Sequence, residues 1–355
     1  MTELTASTSV WLDFLKQQGA QFDAADASAL LGFGATAPAA ETLESFMAPL
    51  TGLGIIGATG DDAASFLHNQ LTNDVERLDA HSARLAGYCT AKGRLLASFL
   101  LWRGPETIYL QLPLALQPTI QKRLQMFVLR AKAKLSDESG KTAIIGLAGP
   151  AAANALAEWY PVLPAEPYAK IDNANGTLIR VADANGSARY QWITTPEVAI
   201  GAWPRLAQHL SPTGPQAWRL SEIRAGVPQI TASTQEQFVP QMVNYELIGG
   251  VNFKKGCYPG QEIVARSQYL GKLKRRTMLA SIDSDGAVAG NEVFSVADPA
   301  QPCGMLVNAE RNGDGRSLAL VEIKLAAAEG EVRLGAADGP ALHFHALPYA
   351  LAEPQ

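Results

Sequence analysis

The chain has 355 residues, enough for two or three domains of ordinary size. It is 47% hydrophobic and 18% charged, with a formal net charge of −5. That balance fits a soluble globular protein with more than one core, and excludes one that coats nucleic acid over its whole surface.

Residues 1–50 read as a peripheral segment, with a helix over Val10–Gln18 and a Gly/Ala/Thr/Pro-rich linker over Gly32–Ala40. The opening Met1-Thr2-Glu3-Leu4 has no basic stretch leading into an apolar one, so no signal peptide is expected. Regular structure begins near Leu53. There the string Ile55-Ile56-Gly57-Ala58-Thr59-Gly60 and its continuation to Leu67 lie over Ile144–Leu156, with seven of 13 positions identical at an offset of 89. Each copy reads as a strand, a glycine turn and a short helix. Asp61 is placed to cap the first helix, and Pro150 suits the first turn of the second.

Strands are predicted over Ala83–Thr90, Arg94–Arg103 and Thr107–Leu112, followed by a helix over Leu114–Leu129. The second copy leads into strands at Thr177–Ala182 and Arg189–Thr194 and a helix at Glu197–Leu210. This predicts two related α+β portions, 51–140 and 141–272, which either share one core or face each other across a cleft. A helix over Pro215–Ala225 leads to a turn-rich segment around Cys257. From 273 to 355, six short strand candidates split by Gly, Asp, Asn and Pro turns predict a small β-barrel or sandwich. The longest clear apolar run, Leu95–Trp102, is broken only by Ser98 and is far short of the about 20 residues that span a membrane. Three cysteines without a C-x-x-C pair make a poor disulfide framework. A cytoplasmic protein is expected.

Gly52-Leu53-Gly54-Ile55-Ile56-Gly57 matches the dinucleotide pattern G-x-G-x-x-G. Its glycines fall before and within the strand, and hairpins follow where a parallel strand is required, so a structural turn is the better reading. The pair His343-x-His345 shares a strand face but has no third zinc ligand nearby.

The segment Lys254-Lys255-Gly256-Cys257-Tyr258-Pro259-Gly260-Gln261-Glu262 carries the strongest signal. Pro259 fits a first helical position, which would put Cys257 just before a helix N-terminus. From Lys254 to Arg276 there are seven basic residues against one acid, a net of +6 over 23 residues that leaves −11 on the rest. Positive surroundings and a helix start both lower a thiol pKa from about 8.5. On these residues alone the segment reads either as an activated thiol or as a buried cysteine in a turn with a solvated basic face. Cys89, in an apolar strand, and Cys303 read as structural. Asp74, ending Gln70-Leu71-Thr72-Asn73-Asp74, is either a turn residue or a functional acid. Trp218 shares a helical face with Ser221, Glu222 and Ala225, as a core side chain or as a stacking platform for a flat heterocycle.

The string Lys255-Gly256-Cys257-Tyr258-x-Gly260-Gln261-Glu262 closely resembles the signature of the YgfZ family. These folate-binding proteins are linked to iron–sulfur cluster assembly or repair and, through it, to tRNA modification. They are related to the glycine-cleavage T-protein, a folate-dependent aminomethyltransferase. Supporting strings run from Leu53 to Tyr349, among them Gln70–Val75, Ala91-Lys92-Gly93, Phe238-Val239-Pro240-Gln241, Leu247-x-Gly249-Gly250 and Leu347-Pro348-Tyr349.

The resemblance implies an α+β, T-protein-like fold with a C-terminal barrel and tetrahydrofolate in a central channel. It implies Cys257 as the reactive thiol, with Asp74 and Trp218 at the folate site and iron–sulfur proteins as partners. By their charge, Lys254, Lys255 and Arg266 are expected to hold that thiol ionised and to attract the folate's glutamate tail or another anion. Leu53 stands where the family can have a second tryptophan. The T-protein Gly-Glu-Asp-Gly segment is absent near Asp183–Gly186, and Arg224-Ala225-Gly226 replaces its Glu-Ala-Gly string. Aminomethyl transfer is therefore the alternative reading, and a direct RNA-binding role has little support.

Overall fold

A computed structural model describes residues 6–26, 29–34, 44–269, 273–313 and 315–351. In chain order its first elements are α1 (Ala6–Gln17), β1 (Ala20–Phe22), β2 (Leu30–Phe33), β3 (Phe46–Pro49), β4 (Leu53–Thr59) and α2 (Ala63–His68). β5 (Ala83–Cys89), β6 (Leu95–Arg103), β7 (Thr107–Pro113), α3 (Gln117–Val128) and β8 (Lys134–Asp137) complete the first portion. The second holds β9 (Ala143–Ala148), α4 (Ala152–Leu156), β10 (Lys170–Asn173), β11 (Gly176–Ala184), β12 (Ser187–Thr194), α5 (Pro196–Leu206) and β13 (Ser211–Pro212). α6 (Pro215–Arg224) and α7 (Gln261–Tyr269) follow. The last portion is β14 (Arg275–Ile282), β15 (Glu292–Ser295), β16 (Gly304–Gly313), β17 (Arg316–Lys324), α8 (Leu325–Ala328), β18 (Val332–Leu334) and β19 (Leu342–His345).

The repeat is visible in the topology. One sheet runs β5-β6-β7-β4-β8 and the other β10-β11-β12-β9-β3-β13, so the duplicated strands β4 and β9 hold the same place next to their hairpins. The second glycine of each copy is left-handed, Gly60 at φ +107° and Gly149 at φ +96°. A β-carbon there would sit 2.2 Å from Lys132 O or 2.0 Å from Glu44 O, against the backbone of a neighbouring segment. A turn wedged against another backbone explains both glycines without a nucleotide. Asp61 does not cap α2. Asp62 holds the cap position, and its carboxylate accepts the Lys132 N–H at 2.7 Å instead.

The N-terminal segment is not peripheral. β3 lies between β9 and β13, antiparallel to the first and parallel to the second. Trp11, Leu12 and Leu15 of α1 are buried beside Trp203 of α5. The expected linker at Gly32–Ala40 lies partly outside the described residues.

β6 is apolar on both faces because both are covered. Leu96, Phe99 and Leu101 join the core beneath α2 and α3, whereas Leu95, Leu100 and Trp102 enter a central core. That central core also takes Ile144 and Ile193 from the second sheet, Trp218 and Leu220 from α6, and Leu279, Val307 and Leu320 from the last sheet. The two α+β portions thus share one core. The C-terminal sheet, ordered β18-β15-β16-β17-β14-β19, is antiparallel and curled into a half-barrel.

Candidate functional site

Where the three sheets meet, they enclose a cavity of about 220 Å³. Leu53, Leu85, Ser98 and Gln111 come from the first sheet, Val181 and Gln191 from the second, Trp218 and Glu222 from α6, and Asn308 from the third. Trp218 is 3% exposed. Its indole lies on the second sheet at Gly146, where any β-carbon would sit 2.4 Å from the ring. The Arg189 guanidinium carbon is 4.9 Å from the ring centroid, within cation–π range. Buried Arg189 donates from Nη1 to Ser221 Oγ (2.7 Å) and Glu222 Oε1 (2.9 Å), and from Nε to Ala182 O (2.8 Å). Trp218 therefore sits on a braced wall. Two other polar atoms of cavity-lining residues, Gln111 Nε2 and Gln191 Oε1, are buried without a hydrogen-bond partner among the described residues. Burying an unmatched donor or acceptor costs about 1–3 kcal/mol each, so such pairs mark a place built for a polar guest.

The Cys257 turn lies outside this cavity. Cys257 is exposed, whereas Cys89 and Cys303 are buried. Burial pushes the Cys89 thiol up to about 12, which leaves it protonated and inert. Pro259 stands two residues before the helix and not at its first position. α7 begins at Gln261, and Gly260 at φ +81° makes the turn before it, so Cys257 precedes the helix by four residues. The macrodipole acts mainly over the first turn, and its pull on Cys257 is correspondingly weaker than expected. Gln261 closes the turn: its Oε1 accepts from Tyr258 N (3.2 Å), and its N–H reaches Tyr258 O (3.1 Å).

The local positive charge is also smaller than the count implied. Arg275 is paired with Glu322 and Arg276 with Glu246, and Arg266 reaches Glu262 at 3.5 Å on the exposed side of α7. Lys272 lies outside the described residues. Lys255 is buried, donating to His68 O and, at 2.9 Å, to Leu71 O, with Nζ 4.8 Å from the Tyr258 ring centroid. It pins the turn to the end of α2.

Burial lowers the Lys255 pKa to about 8, against the opposing pull of Asp74, Cys257 and Glu76. The unfolded chain keeps that proton up to about 10.4. Between these values the unfolded state holds more protons, so stability rises with pH. The contribution is full above the unfolded value and is lost as pH falls through about 8. Urea unfolding at pH 7.5 and 9.5 should show this gain in the native protein and not in K255M. Equal slopes in both would refute it.

Asp74 is buried, and its surroundings tie together two motif strings. Thr72 Oγ1 donates to Gly250 O (2.6 Å), and Asn73 Nδ2 donates to Gly249 O and Leu85 O (2.7 Å each). Asp74 Oδ1 accepts the Arg77 N–H at 3.0 Å and lies 3.2 Å from His68 Nδ1. Burial works to raise the Asp74 pKa. The Arg77 N–H, His68, Arg84 and the Arg77 side chain outweigh it and hold the carboxyl below the usual range.

No family model matches the chain. Over 317 residues it is 30% identical to the tRNA-modifying protein YgfZ of Photorhabdus laumondii, covering 88% of this chain and 94% of that one. The chain belongs to the YgfZ family. The YgfZ of Yersinia pseudotuberculosis is 29% identical over 304 residues, covering 84% and 91%. In fold, the chain matches the glycine cleavage system aminomethyltransferase T of Bartonella henselae with a TM-score of 0.75 at 16% identity, covering 95% and 96%. The chain thus has the T-protein fold expected from its motifs.

Of the residues singled out in the sequence, Trp218 and Leu53 line the central cavity. Asp74, Lys255, Arg266 and Cys257 do not. Lys255 and Asp74 instead surround His68, which sequence reasoning missed, as it missed Arg189, Gln111 and Gln191. The glutamines did carry a signal, being amide side chains flanked on both sides by apolar or aromatic residues in the strands Thr107–Pro113 and Ser187–Thr194. Among the described residues no group of three His, Cys, Asp or Glu side chains could hold a metal. His343 and His345 bond singly, to Asp283 and Ser281. No helix among the described residues is long and apolar enough to cross a membrane.

Proposed function

We propose that the chain is a folate-binding accessory protein that supports tRNA modification by assisting iron–sulfur cluster assembly or repair, with Cys257 as its reactive thiol. The observation that carries this reading is the cavity at the meeting of the three sheets. A pterin is flat and presents amide-type donors and acceptors along one edge. The indole of Trp218 suits its face, and Gln111 Nε2 and Gln191 Oε1 offer a donor and an acceptor that lack partners. Folate, when bound, supplies a one-carbon carrier. The protein's part is to enclose and orient it. Leu53 contributes apolar contact where a second tryptophan would stack.

The exposed Cys257 supports a transient role, because a single thiol that belongs to no group of three His, Cys, Asp or Glu among the described residues cannot hold a four-ligand cluster by itself. Calorimetric titration with tetrahydrofolate should show binding that weakens about tenfold or more in W218A, since loss of a stacked ring costs roughly 1–3 kcal/mol. Q191L should weaken binding and leave the fold intact. In cells lacking the native gene, C257S should bind folate normally and fail to restore iron–sulfur enzyme activity. No folate binding by the native protein, or full restoration by C257S, would defeat the proposal. Transfer of an aminomethyl carbon to tetrahydrofolate by the purified protein would favour an enzyme.

A further inference from the structure

α3 turns Ile120 and Leu124 into the core beneath the first sheet. Along another flank of the helix runs a groove of about 550 Å³, shared with Asp137 of β8. Two stripes of the helix line it. One is Gln117, Gln121 and Gln125, the other Pro118, Lys122 and Met126, each repeating at every fourth residue. Gln117 Nε2 donates to Gln121 Oε1 at 2.7 Å, which leaves Gln121 Nε2 and the Gln125 amide without a partner among the described residues. The helix ends in an exposed apolar run, with Met126 61%, Phe127 47% and Leu129 86% exposed. Leu129 stands at φ +46°, a left-handed backbone that glycine adopts freely and leucine does not.

The charge here is one-sided. Residues 117–134 carry five basic side chains and no acid, so the rest of the chain has a net charge of −10. Lys132 reaches Asp61 at 3.4 Å, and Arg123 lies against the Tyr88 hydroxyl. Lys122, Arg130 and Lys134 are exposed and form no ion pair among the described residues. Asp137, the one acid lining the groove, accepts the Ser139 N–H at 2.9 Å.

We propose that this groove is a docking site for an extended, acidic segment of a partner protein, its main chain on the glutamines and its carboxylates on Lys122 and Arg130. Four residues of helix advance about 6 Å, and two residues of an extended chain about 6.6 Å. Successive glutamines therefore meet every second residue of such a segment, and each amide can match a peptide N–H or C=O. The exposed cations select carboxylates, while Met126, Phe127 and Leu129 offer apolar side chains a place to pack. A bilayer surface would leave the groove unfilled and its amides unmatched. A nucleic acid would set phosphates against Asp137 and find only Phe127 to stack on. The groove shares no lining residue with the central cavity, so the inference does not depend on folate.

The test selects phage-displayed random dodecapeptides on the whole purified protein, with K122E/R130E as the counter-selecting surface. Enriched sequences should alternate Asp or Glu with apolar residues. In fluorescence anisotropy, a labelled peptide of that consensus should bind K122E/R130E and Q121A/Q125A about tenfold more weakly than the native protein, and should weaken several-fold between about 50 and about 300 mM salt. L129G separates docking from folding. With the strained leucine gone it should melt no lower than the native protein, yet bind the peptide about threefold or more weakly. Thermal unfolding of every variant identifies any that is merely misfolded. Selection that enriches no acidic peptides, or an affinity that neither double variant changes, would overturn the proposal. Lys122-dependent binding of a labelled uridine decamer or of phosphatidylserine vesicles, with no acidic peptide enriched, would give the surface to nucleic acid or lipid instead. A native dimer that M126D/L129D splits would give it to a second copy of the chain.

Discussion

R276M is expected to lower the unfolding free energy by about 3–5 kcal/mol at pH 7, the usual cost of stranding a buried charge. Arg276 and Glu246 are each 4% exposed in their side chains. Arg276 also donates to Gln241 O at 3.1 Å, so it holds the segment before the Cys257 turn against β14. Removing it leaves the Glu246 carboxylate among apolar neighbours. Burial already raises the pKa of Glu246, with Arg276 opposing that effect, so the variant's carboxyl should titrate higher still. A raised carboxyl pKa contributes stability below its unfolded value and loses it as pH rises through the folded value. The deficit of R276M should therefore shrink between pH 7 and pH 5. Urea unfolding at both values checks this. A loss under about 1 kcal/mol at pH 7 would mean that the pair is not buried as described.

G260A should abolish cellular function while sparing the central cavity. Gly260 is at φ +81°, a conformation that costs an ordinary residue about 1–2 kcal/mol. The larger obstacle is space. Its β-carbon would fall 2.4 Å from Thr90 O and 2.6 Å from Gly93 N. These are backbone atoms of the β5–β6 turn and cannot swing aside. Gly93 is blocked in return, since its own β-carbon would meet Gly260 O at 3.2 Å and Ile263 at 3.1 Å. Either the Cys257 turn or the hairpin must move. The measurement is paired: tetrahydrofolate affinity should change less than about twofold, or about 0.4 kcal/mol on a scale of 1.4 per decade, if the cavity is untouched, while complementation is lost. Normal complementation by G260A would show that the turn tolerates displacement.

Much of this architecture is legible in the sequence, for physical reasons. The Ile-Ile-Gly repeat announces two related units because each copy needs the same buried strand and wedged glycine. The cysteine string is legible in part because some of its contacts are local. Gln261 closes the turn on Tyr258, and Lys255 lies over the Tyr258 ring. What was illegible depends on distant partners. β3 is four residues long and ends in proline, and only its pairing with β9 and β13 makes it a strand. The basic residues near Cys257 could be counted, but Glu246 and Glu322, which neutralise two of them, belong to other elements. His68 gave no sign, because nothing in the local pattern says that α2 ends beneath a glycine 188 positions later.

The grip of the C-terminal half-barrel on α6 has one more consequence. Arg219 is tied to Glu310, Arg224 to Asn312 at 2.9 Å, and Tyr349 donates to Gly226 O at 2.8 Å just past the helix end. The helix that carries Trp218 is thus clamped along its length by residues read off the chain last. During synthesis the two duplicated sheets emerge with this helix unclamped, and the cavity takes its final shape only when the tail docks. The half-barrel is in that sense a closing bracket, and a defect in it would be felt first as a loose indole some 130 residues upstream of Tyr349.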